Sequence, residues 1–175
     1  MVIVDDYSCF PWVYFMKWKS EVLQTYQQWK KDVQTFFWVE IGEEHFSELY
    51  VDFLHSDNGG EYTGENFWSQ LQSDGTLHET SAADTPEQNG TAERMNQTLA
   101  TLTNTMLEES KLPKSFWADA MDTAAYITGR SPASTISRKT PYEQLFNRNV
   151  DPTLFCPFGC PTYAWIPKDK HGGKF

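Results

Sequence analysis

A chain of 175 residues, 15% of them aromatic, has the size of one domain and too many rings to remain disordered. Its net charge is −10, and between Asp32 and Ser110 sixteen acidic residues meet one basic residue, Arg94, a local balance of −15 that argues against unaided binding to nucleic-acid phosphates. No apolar run approaches the roughly 18 residues of a membrane span, no basic-then-apolar leader opens the chain, and three cysteines, an odd count, fit a reduced intracellular setting.

In chain order, Met1–Asp5 reads as an apolar strand and Phe10–Trp18 as a second, rich in aromatics and valine. Asp6-Tyr7-Ser8 between them is turn chemistry, so the two form a hairpin, with Pro11 at an edge or irregular position. Ser20 is a candidate N-cap and Glu21 suits the first turn of a helix. Val22, Tyr26, Trp29, Val33 and Phe36 then recur at helical spacing, one apolar face running to about Phe37. Gly42–His45 reads as a loop, and His45 lacks a partner at metal-ligand spacing.

The next strand, Leu49–Leu54, leads to Asp57, and Gly59-Gly60 give the backbone freedom for a sharp exit. A short helix over Glu65–Ser73 stops at Asp74-Gly75, and Thr76–Ser81 reads as another strand. Asn89-Gly90 turns the chain into a helix from about Thr91 to Glu109 with a core stripe of Met95, Leu99, Leu102 and Met106; Glu93 lies off that stripe, on a polar face with Asn89, Asn96 and Gln97. A further helix, Ser115–Gly129, would bury Phe116, Ala120, Thr123, Ala124 and Ile127. Thr140-Pro141 starts a last short helix to Asn147. The tail reads as a loop and a strand leaving the domain, so residues 1–150 form the core and 151–175 an extension. Cys156, Cys160 and His171 lack the fourth ligand of a structural zinc site. Alternation of strands and helices predicts an α/β fold with helices packed on a mixed sheet.

Asp57 at a strand end and Glu93 on a helix are separated by 35 residues. Carboxylates that converge from different elements are what a two-metal phosphoryl-transfer site needs, its ions about 3.5–4 Å apart. The bland alternative for Glu93 is a solvated helix face.

Read as longer segments, VDDYSCFPWVYF, HSDNGGEY, TPEQNGTAERMNQTL, LPKSFWADAMDTAAYITGRSP and KTPYEQLF, followed by Phe158-Gly159-Cys160, occur in an order and spacing that resemble the integrase core of copia-type LTR retrotransposons over nearly the whole chain. The resemblance implies a ribonuclease-H-like mixed sheet flanked by helices and a set of three carboxylates binding Mg²⁺ or Mn²⁺. It further implies DNA end processing and strand transfer in the nucleus, a core domain that multimerises, and Asp57 and Glu93 as second and third metal-binding catalytic residues. Asn58, Glu61, Asn89, Arg94 and Asn96 match motif positions beside the site without an assigned role.

In that family the first catalytic Asp stands on a strand preceding VDDYS, and this chain begins after it, so neither Asp5 nor Asp6 takes that position. Two consequences are expected. Two carboxylates hold Mg²⁺ weakly, and the sheet lacks its first, central strand, leaving the neighbours of that strand with an unpaired seam. Cys9 and His55 stand where the family usually has basic residues, and Ala83-Asp84 and Glu87 replace a Pro-Tyr pair and a Gln. The expectation is therefore an integrase core inactive as an isolated fragment. A non-catalytic relict or domesticated interaction module is the alternative, self-associating through Trp29, Phe36, Phe37, Trp117 or Trp165. A plain RNase-H-like nuclease ranks last.

Overall fold

Residues 1–41, 50–80, 90–163 and 165 are described by the structure, a computed structural model. The hairpin predicted at the start is present as β1 (Val2–Val4) and β2 (Pro11–Val13), antiparallel, with Val2 opposite Val13, Ile3 opposite Trp12 and Val4 opposite Pro11. Met1 and Tyr14 exchange both of their backbone hydrogen bonds, and Asp5 N–H donates to the Phe10 carbonyl. In an antiparallel ladder such pairs alternate with non-bonded ones, so Val4 and Pro11 form a non-bonded pair. That is why a proline without an N–H fits there: no ladder bond is lost. The turn is closed by the Asp5 carboxylate, which accepts from Ser8 N–H at 2.8 Å and from the fully buried Ser8 hydroxyl. The second strand is shorter than the predicted Phe10–Trp18, because the ladder ends at Tyr14, whose hydroxyl donates to Asp32 at 2.9 Å.

Period-two alternation divides the hairpin into two faces. Met1, Ile3, Trp12 and Tyr14 pack against one core, Val2 and Val13 against another. The first core is supplied by α1 (Val22–Ile41), whose predicted residues Val22, Tyr26, Trp29 and Val33 are all buried. Trp29 stacks edge-on to Trp12 at 6.0 Å and Tyr26 lies 5.5 Å from Phe67. Burial of Trp29 removes it from the candidate association surface, and Phe36 and Phe37 lie half-buried against Phe146. Ser20 does not cap α1. It sits inside a 3₁₀ turn, Lys19–Glu21, and the entry is closed by the Glu21 carboxylate accepting from Lys17 N–H at 3.0 Å.

A parallel pair follows: β3 (Phe53–Ser56) and β4 (Leu77–Thr80), with Phe53 opposite Leu77 and Ser56 opposite Thr80. They are connected by α2 (Gly60–Thr63) and α3 (Glu65–Asp74), which buries Phe67 and Leu71 on α1. Gly75, at φ +72°, closes α3 in the left-handed conformation that favours glycine. The strand predicted from Leu49 starts later, at Phe53. Thr76 N–H is still bonded to Leu71 as the chain leaves α3, so the first ladder bond is Leu77 N–H to the Asp52 carbonyl, 2.8 Å. Leu49, Ser81 and the Gly42–His45 loop lie outside the described residues.

The second core joins α4 (Gly90–Ser110) to α5 (Trp117–Arg130). Leu99 is fully buried, with Met95, Leu102 and Met106 of the predicted stripe partly buried around it. The alanines and glycine of α5, Ala120, Ala124, Ala125 and Gly129, let its backbone approach closely; a Cβ at Gly129 would stand 2.9 Å from the Phe10 ring. Phe116, predicted in this core, is instead exposed, because it ends the 3₁₀ turn Lys114–Phe116 before α5 begins. Thr140 and Pro141 start α6 (Pro141–Phe146) as expected, and Glu143 completes a capping box, its N–H donating to Thr140 Oγ1 at 3.0 Å and its carboxylate accepting from Thr140 N–H at 2.9 Å. After Phe146 the described residues hold a 3₁₀ turn, Pro152–Leu154, and no strand; Tyr163 and Trp165 are exposed.

The strands thus form two separate two-stranded sheets, β1-β2 and β3-β4, and among the described residues no strand joins them. The expected unpaired seam is there. Truncating Leu99 to Ala should lower unfolding stability by about 2–5 kcal/mol through lost burial and a residual cavity. The same truncation at exposed Leu154 should stay within about 0.5 kcal/mol. Urea unfolding midpoints of the two variants check the contrast.

Candidate metal and phosphoryl-transfer site

β3 delivers Asp57 to the surface at its C-terminal end, where the side chain is exposed. The backbone beneath it is fixed by Ser56, whose buried hydroxyl donates to the Asp57 carbonyl at 2.9 Å. The same oxygen lies 2.8 Å from His78 Nε2 on β4. A hydroxyl has one proton to give; with that proton on Asp57, His78 Nε2–H is the donor. Burial pushes the His78 pKa down, favouring the neutral ring.

Asp57 Oδ1 accepts from Gly59 N–H at 3.0 Å, an Asx-type turn. Gly59 has φ −55° and ψ 136°, which any residue can adopt, so conformational freedom is not the reason for glycine. A Cβ there would stand 2.9 Å from both Asp57 Oδ1 and the Glu61 carboxyl carbon, so these two side-chain ends would shift to admit one. Glu61 in turn binds the Lys19 ammonium at 2.8 Å. That bond raises the Lys19 pKa, with the Glu61 and Asp57 charges adding, and lowers that of Glu61. Burial raises the pKa of the Tyr62 hydroxyl, and the Asp57 and Glu61 charges push it the same way. The cluster therefore contains a cation, Lys19, that sequence reading missed. Its 42-residue separation from Glu61 gave no local pattern to find.

Glu93 occupies the first turn of α4 and is exposed, as are Arg94, Asn96 and Asn58. Thr91 and Ala92, immediately before Glu93, line the same cleft as residues 50–55 of the β3 segment, so the start of α4 and β3 border one opening. Asn89, with Ala83, Asp84 and Glu87, lies outside the described residues. Arg94 folds back over Gly90, where an added Cβ would meet its guanidinium at 3.2 Å.

Carboxylate oxygens are the donors Mg²⁺ takes, and Asp57 and Glu93 match in type. They fall short in number: among the described residues no three His, Cys, Asp or Glu side chains gather where they could hold a metal ion. Asp5, Asp6 and Asp52 line the cleft itself, and Asp5 is committed to the hairpin turn. Cys156 and Cys160 are exposed free thiols, and His171 lies outside the described residues.

The half-buried His78 ring has a pH signature. Its folded pKa is depressed below the ordinary value of 6.5, so its contribution is fully present above 6.5 and lost as pH falls through the folded value. In a His55→Gln background, which removes the neighbouring His55–Glu79 pair, stability should fall as pH drops below about 6.5. A further His78→Gln change should flatten that profile; urea titrations at stepped pH measure it.

No protein-family model matches the chain. It is 37% identical over 170 residues, 97% of its length, to the retrovirus-related Pol polyprotein from transposon TNT 1-94 of Nicotiana tabacum, and 30% identical over 172 residues to that from transposon RE1 of Arabidopsis thaliana. It spans 12% and 11% of those two relatives. Among solved structures it resembles the HTLV-2 integrase catalytic core domain in complex with magnesium, with a TM-score of 0.56 and 20% identity, covering 81% of this chain and 80% of that one. A chain of the simian T-cell lymphotropic virus intasome in complex with PP2A regulatory subunit B56 gamma aligns with 99% of this chain over 52% of its own length, with a TM-score of 0.58 and 18% identity. The chain is thus homologous along almost all of its length to a segment of copia-type retrotransposon Pol polyproteins, and its fold is the ribonuclease-H-like one of solved integrase catalytic cores.

Proposed function

We propose that this chain is the catalytic-core segment of a retrotransposon integrase, acting on DNA ends by metal-dependent phosphoryl transfer in the nucleus, with Asp57 and Glu93 as two of its metal-binding carboxylates. The observation that carries the reading is similarity through 97% of the chain to a Pol polyprotein, in a fold shared with an integrase core solved with magnesium. The placement of Asp57 at the end of β3, with Glu93 on α4 next to the cleft that β3 borders, agrees with it.

The chain's own residues would position and bias the site. Ser56 and His78 hold the backbone under Asp57, Gly59 leaves its carboxylate room, and Lys19 holds Glu61 beside it. Two exposed carboxylates bind a divalent cation weakly, and the acidic central region repels the DNA backbone. Residues 1–175 alone are therefore an inactive fragment of the active assembly.

A second reading, self-association without catalysis, is favoured by Phe116, Trp117 and Phe15, which cluster as exposed rings, Phe15 and Trp117 edge-to-face at 5.2 Å. Exposed apolar groups of this kind mark contact surfaces. The HTLV-2 core is known in dimeric and trimeric forms. Light scattering at high concentration separates the readings: a Trp117→Ala-sensitive dimer supports association, a monomer removes it.

Strand transfer on a labelled DNA duplex with Mg²⁺ or Mn²⁺ should give no product above background with residues 1–175. Turnover lost in both Asp57→Asn and Glu93→Gln would uphold the site and overturn the inactivity. A dissociation constant on the order of 10 mM would let 10 mM Mg²⁺ contribute about 0.4 kcal/mol, roughly a 1 °C rise in melting temperature. Asp57→Asn should abolish that rise.

A further inference from the structure

The acidic balance of residues 32–110 reverses late in α5: from Tyr126 to Val150 four basic residues, Arg130, Arg138, Lys139 and Arg148, meet one acidic residue, Glu143. Arg130 ends α5 in a setting unlike that of the other cations. Its guanidinium lies over the Tyr126 ring at 3.8 Å and over the Tyr142 ring of α6 at 4.6 Å. Two such contacts hold a long, half-buried side chain in one orientation and take up its flat surface. What remains is the fork of N–H donors along its edge. One of them donates to the Tyr126 carbonyl, a long bond of 3.4 Å. The Glu143 carboxylate is taken by Thr140 N–H, and among the described residues Arg130 has no ion-pair partner. Stacking on the two rings accounts for where the guanidinium sits and leaves its edge unmatched.

Beyond α5 the chain closes on itself. Arg138 N–H donates to the Ala133 carbonyl at 3.2 Å, and Ala133 N–H to the Lys139 carbonyl at 3.0 Å. The closure puts Ser137 and Arg138 in the left-handed region, φ +55° and +64°, a costly conformation for residues with a Cβ. It returns two exposed cations, Arg138 and Lys139, to Ala133, close after Arg130 in sequence. A preoriented guanidinium edge binds an oxyanion through paired bonds, as carboxylates and phosphates allow. One carboxylate would be matched by Arg130 alone; a repeating anion uses all three cations. We propose that Arg130, with Arg138 and Lys139, grips backbone phosphates of nucleic acid at the corner between α5 and α6. That the polymer is DNA rests on the proposed function. The grip itself needs neither a metal ion nor turnover, and it shares no residue with the Asp57 and Glu93 pair.

The test uses the full 175-residue chain, a short fluorescein-labelled DNA duplex and EDTA, so that no metal acts at Asp57 and Glu93. Anisotropy from about 50 to 200 mM salt should show saturable binding whose log affinity falls linearly with log salt, by about 0.9 per phosphate neutralised. Arg130→Gln should weaken binding about tenfold and reduce that slope by about one. Arg130→Lys should keep the slope and still bind several-fold more weakly, because an ammonium lacks the fork. Arg138→Gln with Lys139→Gln lies outside the ring stack and should reduce the slope by about two at an unchanged melting temperature. Should Arg130→Gln fail to fold, this double variant decides. No saturation, slopes that these substitutions leave unchanged, or equal displacement of the duplex by a glutamate-rich peptide would each overturn the proposal; the last would assign the corner to carboxylates. Failure here leaves the strand-transfer experiment untouched, since that experiment reads product and this one reads binding without metal.

Discussion

The hairpin β1-β2 needs an apolar layer on each side, and the rest of the fold follows from that requirement. Alternation along two short strands sends Ile3 and Trp12 one way and Val2 and Val13 the other. A ribbon with two apolar faces is unstable in water. It is covered by α1 on one side and by α4 with α5 on the other, and each helix is apolar on the stripe it turns inward. Phe10, between Trp12, Phe146 and the bare backbone of Gly129, ties α5 and α6 to the same ribbon. Stability therefore resides in helix packing around a minimal sheet.

That arrangement explains how two half-sheets persist with open edges. β3 and β4 do not depend on β1 for burial, because α3 packs back onto α1 through Phe67 and Leu71. Each half is anchored to the common helix α1, and α1 bridges the cleft between them. Unpaired N–H and C=O groups at the edges can be solvated in an open cleft, which a closed core would not allow. The edges are left available, and the molecule does not collapse onto them.

Helix faces were legible in the sequence because a 3.6-residue period repeated over four or five turns leaves little ambiguity; Val22–Val33 and Met95–Met106 lie where their spacing puts them. Strand lengths were not legible. Apolar residues at 14–18 and 50–52 look like strand, but only cross-strand partners make a ladder, and those partners are set by Asp32 capturing Tyr14 and by where α3 releases Thr76. The carboxylates Asp57 and Glu93 stood out by residue type and segment order. The surroundings of Asp57 did not: Lys19 and His78 reach it from elements distant in sequence. Gly59 needs no special φ, and a Cβ there would displace only the ends of two carboxylate side chains.

Lys19 bears on how a cation would be held at Asp57. An ammonium bonded to Glu61 and within the field of Asp57 already neutralises part of the negative charge that a divalent ion would use. Its side chain is 83% exposed, and exposed ion pairs are weak and screened by salt. A divalent ion carries twice the charge and binds oxygens directly, so a flexible surface lysine is displaced at little expense. The ammonium is no substitute for a structural ion, and it is no barrier to one. Among the described residues no three carboxylate, His or Cys side chains gather at Asp57, so the number of convergent oxygens, and not the lysine, would limit how tightly a cation is held there.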